Sequence, residues 1–320
     1  MSLLRSWLAT PPPEAAIEIA PEAVSVAVSG ARAGEPLVQS YGVVPLRPGA
    51  VVPSLTGHNV VDRAAVLDAV RTACERAGTR PRRAALVIPD LAARVSIVRF
   101  DQLPAKAEDL EQLIRWQIKK SSPFPIDDAR VTFCPSQRTE QGHEFVVVVA
   151  RREIVAEYEG VCAEAGIQAG LVDLSTLSVV NLVLGRANPP AGDWLLVHMR
   201  PDYTSLAIMR GPHLVFFRNR TEGEEEPLSD VVHQTTMYYQ DRLDGRGFSQ
   251  VLLCGIGRNP DAVEVARQEL EDRLGVAAEP IEAALADSLA ERLQTAPELR
   301  ATVPPLLGIL VRAGHDSVHA

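Results

Sequence analysis

Two grammars of apolar and polar positions alternate along this chain, and their order occurs twice. Period-two or fully apolar stretches, read as strands, lie near 15–20, 23–29 and 37–44, and again at 194–199, 204–210 and 213–219. The first two of each set align residue by residue at a spacing of 180 positions. Ile17-Glu18-Ile19-Ala20-Pro21-Glu22-Ala23-Val24-Ser25-Val26-Ala27-Val28 corresponds to Val197-His198-Met199-Arg200-Pro201-Asp202-Tyr203-Thr204-Ser205-Leu206-Ala207-Ile208. Each reads apolar strand, Pro-acid turn, then Ser-apolar-Ala-apolar strand. A hairpin that opens both halves of a chain predicts a duplicated fold with a cleft between the copies.

After the first strand set, Asp62 caps a helix whose Val66, Leu67, Val70 and Cys74 recur at helical spacing up to Gly78. Ala84–Pro89 follows as a short buried-type strand. Between Val95 and Gly170 the pattern changes. A strand at 96–100 leads into a strongly amphipathic helix at 108–120, with Leu110, Leu113, Ile114 and Ile118 on one face. Ser122-Pro123-Phe124-Pro125 stops it. Strands at 129–134 and 144–150 and a helix at 153–165 complete a β-α-β-β-α unit that reads as an inserted subdomain. Leu171–Leu174 returns to the first lobe, with Ser175 read as the cap of a helix to Leu184. In the second half the pattern predicts helices at 228–243, 261–274 and 281–293, a buried strand at 250–254, and an apolar helix from Pro304.

Length and composition fit two lobes of ordinary globular make-up, with 320 residues and 46% apolar. The net charge of −9 argues against nucleic acid and against generic attraction to anionic membranes. Four scattered cysteines, without a C-x-x-C pair, fit reduced thiols in a cytoplasmic protein, and the histidines, scattered apart from the i, i+4 pair His315 and His319, give a metal site no support. The longest apolar runs, Phe145–Ala150 and Leu306–Val311, fall far short of the ~20 residues that span a bilayer. Leu3, Leu4, Trp7 and Leu8 offer one face of a short helix before Pro11-Pro12-Pro13, suited to a surface contact or to packing on the body. The acidic stretch Thr221–Glu226 reads as a solvated loop. Gly255-Ile256-Gly257 after the 250–254 strand fits a nucleotide turn and fits an ordinary strand-helix turn equally.

At Ile114-Arg115-Trp116-Gln117 and Ser122-Pro123-Phe124-Pro125 the chain resembles the PilM family of type IV pilus assembly proteins. The resemblance continues through Val146–Ile167, Leu171-Val172-Asp173, Tyr238-Tyr239, Val251–Gly255 and Leu307–Arg312. It implies an α/β, duplicated actin-like (ribonuclease H-like) two-lobed fold related to FtsA. Residues 1–94 and 171–190 would form the first lobe, 95–170 the insertion and 191–320 the second lobe, the last helix (305–314) packing back between them. It also implies a cytoplasmic scaffold, peripheral to the inner membrane, that binds the N-terminal tail of a PilN-like bitopic membrane protein. Self-association stays open.

In the family that tail sits between the first lobe and the insertion, so Arg115, Trp116 and Phe124 are the candidate contacts. Trp116 and Phe124 serve equally as core, and Arg115 equally as the i, i+4 partner of Glu111. ATP-binding relatives open each phosphate hairpin with aspartate, an apolar residue and glycine. This chain has Glu18-Ile19-Ala20 and His198-Met199-Arg200, each followed by a proline that removes an amide donor. If ATP and Mg²⁺ are held, the candidates are Glu18, Asp202, Gly255 and Gly257. The expectation is a degenerate site with weak or absent hydrolysis. The alternative is an ATP-binding or hydrolysing member of the same platform. A sugar or acetate kinase ranks third, for want of an evident general-base aspartate.

Overall fold

A computed structural model describes residues 13–32, 35–140, 142–186, 188–221, 227–255, 261–281 and 302–311. The Leu3–Leu8 segment, most of the acidic loop, Gly257, the helix expected at 281–293 apart from its first residue, and residues 312–314 lie outside the described residues.

Two five-stranded sheets have the same order. The first comprises β1 (Ala15–Ile19), β2 (Ala23–Arg32), β3 (Glu35–Pro45), β4 (Arg83–Ile88) and β8 (Gln168–Leu174), arranged β3-β2-β1-β4-β8. The second comprises β9 (Asp193–Met199), β10 (Tyr203–Arg210), β11 (His213–Thr221), β12 (Gln250–Gly255) and β13 (Ala278–Pro280), arranged β11-β10-β9-β12-β13. In each, the leading meander is antiparallel and the following strands add in parallel. The repeated hairpin holds at atomic level: Glu18 pairs with Ser25 and His198 with Ser205. Both turns close alike, Ala20 N–H on Ala23 O at 3.0 Å and Arg200 N–H on Tyr203 O at 2.8 Å. The short strand β13 was not expected, since three residues ending in proline carry no periodic signal.

Central strands buried on both faces read as continuous apolar runs. In β1 the alternate residues Ala15, Ile17 and Ile19 face helices α1 (Arg63–Arg76) and α3 (Arg152–Glu164). Ala16 faces the other way, into a core shared by both lobes, with α4 (Ser175–Leu184) and the helix α7 (302–311) at its centre. These two helices cross with backbones in near contact: a Cβ added at Gly308 would lie 1.7 Å from the Ser178 carbonyl oxygen. On the outer side of the second sheet, Leu195, Val197 and Met199 pack under α5 (Leu228–Arg242) and α6 (Ala262–Leu274).

The packing changes the expected extent of the insertion. Strands β5 (Ala93–Phe100), β6 (Ala129–Thr139) and β7 (Gly142–Arg151) form a separate sheet in the order β5-β7-β6, covered on one face by α2 (Ala107–Lys119). Helix α3 does not belong with them. Its Ile154, Val155, Tyr158, Val161 and Cys162 are buried in the first lobe's core, and it holds there the place that α6 holds in the second lobe. The amphipathic pattern identified the helix but carried no information about which sheet it covers.

Candidate functional site

Where the two hairpins meet, the chain buries a cluster of polar side chains drawn from both lobes. Glu18, on β1, accepts from the Ser175 hydroxyl at 2.9 Å and lies 3.2 Å from Arg200 Nη2. Arg200, in the turn after β9, also meets Glu22 of the opposite turn at 2.7 Å. Glu18 and Arg200 are 2% and 3% exposed, so this ion pair is withdrawn from water. Ser175 was read as a helix cap. It is instead the first residue of α4, and its hydroxyl is spent on Glu18.

A second centre is Asp90, in the turn after β4, which no local pattern marks out. Its carboxylate accepts from the Thr176 amide at 2.9 Å, from the Thr176 hydroxyl and from the Ser205 hydroxyl at 2.7 Å, and its own amide donates to Tyr203 Oη at 3.2 Å. Since Thr176 Oγ1 donates to Asp90, His198 Nδ1, 2.8 Å away, must donate to Thr176. His198 is therefore a donor through Nδ1 in this arrangement. Burial and then the nearby Arg200 charge both push its pKa well below the ordinary value. Burial raises the pKa of Glu18 and of Asp90. For Arg200, burial opposes the charge, but Glu18 and Glu22 outweigh it and the net shift is upward. One charged guanidinium thus bridges two acids of the first lobe, Glu18 and Glu22.

Of the other nucleotide candidates among the described residues, Gly255 abuts this cluster, a Cβ there lying 3.0 Å from His198 Cδ2, and Asp202 stands off it. Asp202 is exposed at the tip of its turn. Gly255 has φ +100°, and a Cβ there would lie 2.0 Å from the Met199 carbonyl oxygen, which accounts for the glycine by close packing on β9 alone.

A cavity of about 600 Å³ opens elsewhere, between the outer edges of β6 and β8. Val146, Val148 and Ala150 of β7 and Leu171, Leu177 and Val180 give it an apolar floor. Thr132 and Cys134 line one wall, and Leu214 of the second lobe closes one end, its carbonyl accepting from Ser136 Oγ at 3.0 Å. The expected contacts Arg115, Trp116 and Phe124 are not in this lining. Alternate residues of a strand face opposite ways. Val147 and Val149 pack against α2, so α2 covers the face of the inserted sheet opposite to the groove. Arg115 binds Glu111 at 2.9 Å, Phe124 packs against the insertion core, and Trp116 is 65% exposed.

Two sheets of identical order joined across a buried polar cluster, with a third sheet inserted after β4, define a two-lobed actin-like protein. The sequence model described as "Type IV pilus assembly protein PilM" matches residues 16–242, and the chain belongs to that family. The solved "PilM-PilN type IV pilus biogenesis complex" superposes with a TM-score of 0.77 at 18% identity, covering 96% of this chain and 99% of that one. The ethanolamine utilization protein EutJ from Carboxydothermus hydrogenoformans matches with a TM-score of 0.50 at 12% identity, over 94% of this chain and 90% of that one. No curated protein matches the chain in sequence. No helix among the described residues is long and apolar enough to cross a membrane.

Proposed function

We propose that this chain is a nucleotide-independent scaffold on the cytoplasmic side of a type IV pilus assembly platform. It holds the N-terminal tail of a PilN-like bitopic membrane protein in the groove between β6 and β8. The observation that carries this reading is the groove itself: an apolar floor flanked by the outer edges of two strands, each with one side left unpaired by its own sheet. An extended tail laid there gains main-chain hydrogen bonds from an edge and places alternate side chains on the floor. The neighbour solved as a PilM-PilN complex supports the choice of partner. Hydrogen–deuterium exchange with a synthetic tail peptide tests it. Amides of β6 and β8 are expected to gain protection; protection confined to α2 would move the tail to the other face and overturn the assignment.

The hairpin cluster supports the reading of nucleotide independence. Glu18 is engaged by Arg200 and Ser175, and Pro21 and Pro201 leave each hairpin turn short of one amide donor. A Mg²⁺ at Glu18 would have to displace a guanidinium already neutralising it. Mg-ATP is therefore expected to leave the unfolding midpoint unchanged. A true site would add about 2.7 kcal/mol at a hundred times Kd, and a midpoint that climbs steadily with Mg-ATP concentration would establish the ATP-binding alternative instead.

A further inference from the structure

All three lysines of the chain, Lys106, Lys119 and Lys120, border α2, and the other 29 of its 32 basic residues are arginines. Among the described residues, every ion pair is made by an arginine or by His58, and none by a lysine. The three lysines are exposed. Trp116 shares their helix and, at 65%, is the most exposed large apolar side chain among the described residues. Gln112, Lys119 and Lys120 stand at i−4, i+3 and i+4 from it, on one outward face. The inward face, Ile114 and Ile118, is what packs the insertion core. Trp116 has no part in that core.

We propose that this outward face is a contact for an anionic lipid surface. The choice of cation argues for lipid over an acidic protein. A guanidinium fork matches carboxylates directionally, and among the described residues every carboxylate pair but that of His58 is made by an arginine. Lysine instead lays a flexible apolar stem along a surface while its ammonium reaches for phosphate. A tryptophan ring suits the boundary between acyl chains and headgroups. Glu108 and Asp109 at the helix start and Asp127 and Asp128 beyond its end confine the attraction to the Trp116–Lys120 segment and keep it weak. The net charge of −9 sets the same limit on the chain as a whole. If the tail reading above is right, a weak contact suffices, because a bitopic partner holds the helix near the bilayer at high effective concentration. The lipid contact itself does not depend on that reading and is measured without the tail.

The test is co-sedimentation of the full chain with phosphatidylcholine vesicles and with vesicles that also contain phosphatidylglycerol, at low and high salt. Binding is expected only to the anionic vesicles at low salt. The double variant Lys119→Gln, Lys120→Gln should reduce partitioning on the order of twentyfold, about fivefold per lysine, and Trp116→Ala by several-fold. Both should unfold at the wild-type midpoint, since the side chains are exposed. The pair Arg242→Gln, Arg246→Gln, exposed on the second lobe, should leave partitioning unchanged. Three results would overturn the proposal: no binding to anionic vesicles, which would favour an acidic protein partner; equal loss in the arginine control; or undiminished binding in the lysine variant, which would place the contact elsewhere.

Discussion

Arg200→Ala is expected to lower the unfolding free energy by about 3–5 kcal/mol, the range for removing one partner of a buried ion pair. The size comes from what is left behind. Glu18 is 2% exposed and would keep one neutral hydroxyl donor, Ser175, in place of a cation. Glu22 would lose the same guanidinium. The effect should depend on pH with a definite sign. Burial already raises the Glu18 pKa, and Arg200 is the largest influence opposing that rise. Without the arginine, the folded-state pKa moves further up. A raised carboxyl pKa contributes stability below its unfolded value, near 4.5, that is lost as pH rises through the folded value. The deficit of the variant should therefore be smaller at acid pH than at pH above neutrality, as read by urea unfolding across that span. The triple variant Arg200→Met, Glu18→Gln, Glu22→Gln removes the charges together and should recover most of the loss. A full-sized deficit in the triple variant would mean that packing at Arg200, not charge, holds the lobes together.

Much of this fold was legible because its signals are local. The hairpin repeat is visible as Pro21 and Pro201, Ser25 and Ser205, Ala27 and Ala207, and these residues occupy matching positions in the two sheets. Helices such as Arg63–Arg76 announced themselves by period and cap, Asp62 Oδ1 accepting from the Ala65 amide at 3.1 Å. The site was less legible because it is built from long-range meetings. Asp90 and Ser205 are 115 positions apart, and nothing near Asp90 in sequence distinguishes it from a surface turn acid. His198 and Arg200 could be recognised as departures from a phosphate hairpin, but not as parts of a network with Thr176 and Glu18. The groove posed the same difficulty. The sequence drew attention to Trp116 and Arg115 as the residue types that anchor interfaces. The residues that line the cavity, Thr132, Cys134 and Leu171 among them, are ordinary strand residues. Their significance lies only in two sheet edges facing one another.

Thr132→Trp is expected to weaken tail binding about a hundredfold, ~2.8 kcal/mol, while Arg115→Glu leaves it unchanged. Thr132 is exposed on the outer edge strand of the inserted sheet, and its side chain lines the groove. Tryptophan is well accepted in strands, so the substitution fills the cavity without disturbing the sheet. A tail that must lie along the edge then loses both the floor and the approach to the β6 backbone. Arg115 stands on α2, across the sheet, and its guanidinium is occupied by Glu111. Reversing its charge sets two acids at i, i+4, a cost of only about 0.2–0.5 kcal/mol to the helix. Peptide titration alongside melting separates the cases. If Arg115→Glu abolishes binding in a folded protein and Thr132→Trp does not, the tail lies on the helix face and the cavity between β6 and β8 serves something else. If Thr132→Trp alone abolishes it at an unchanged melting temperature, the groove is the tail's seat.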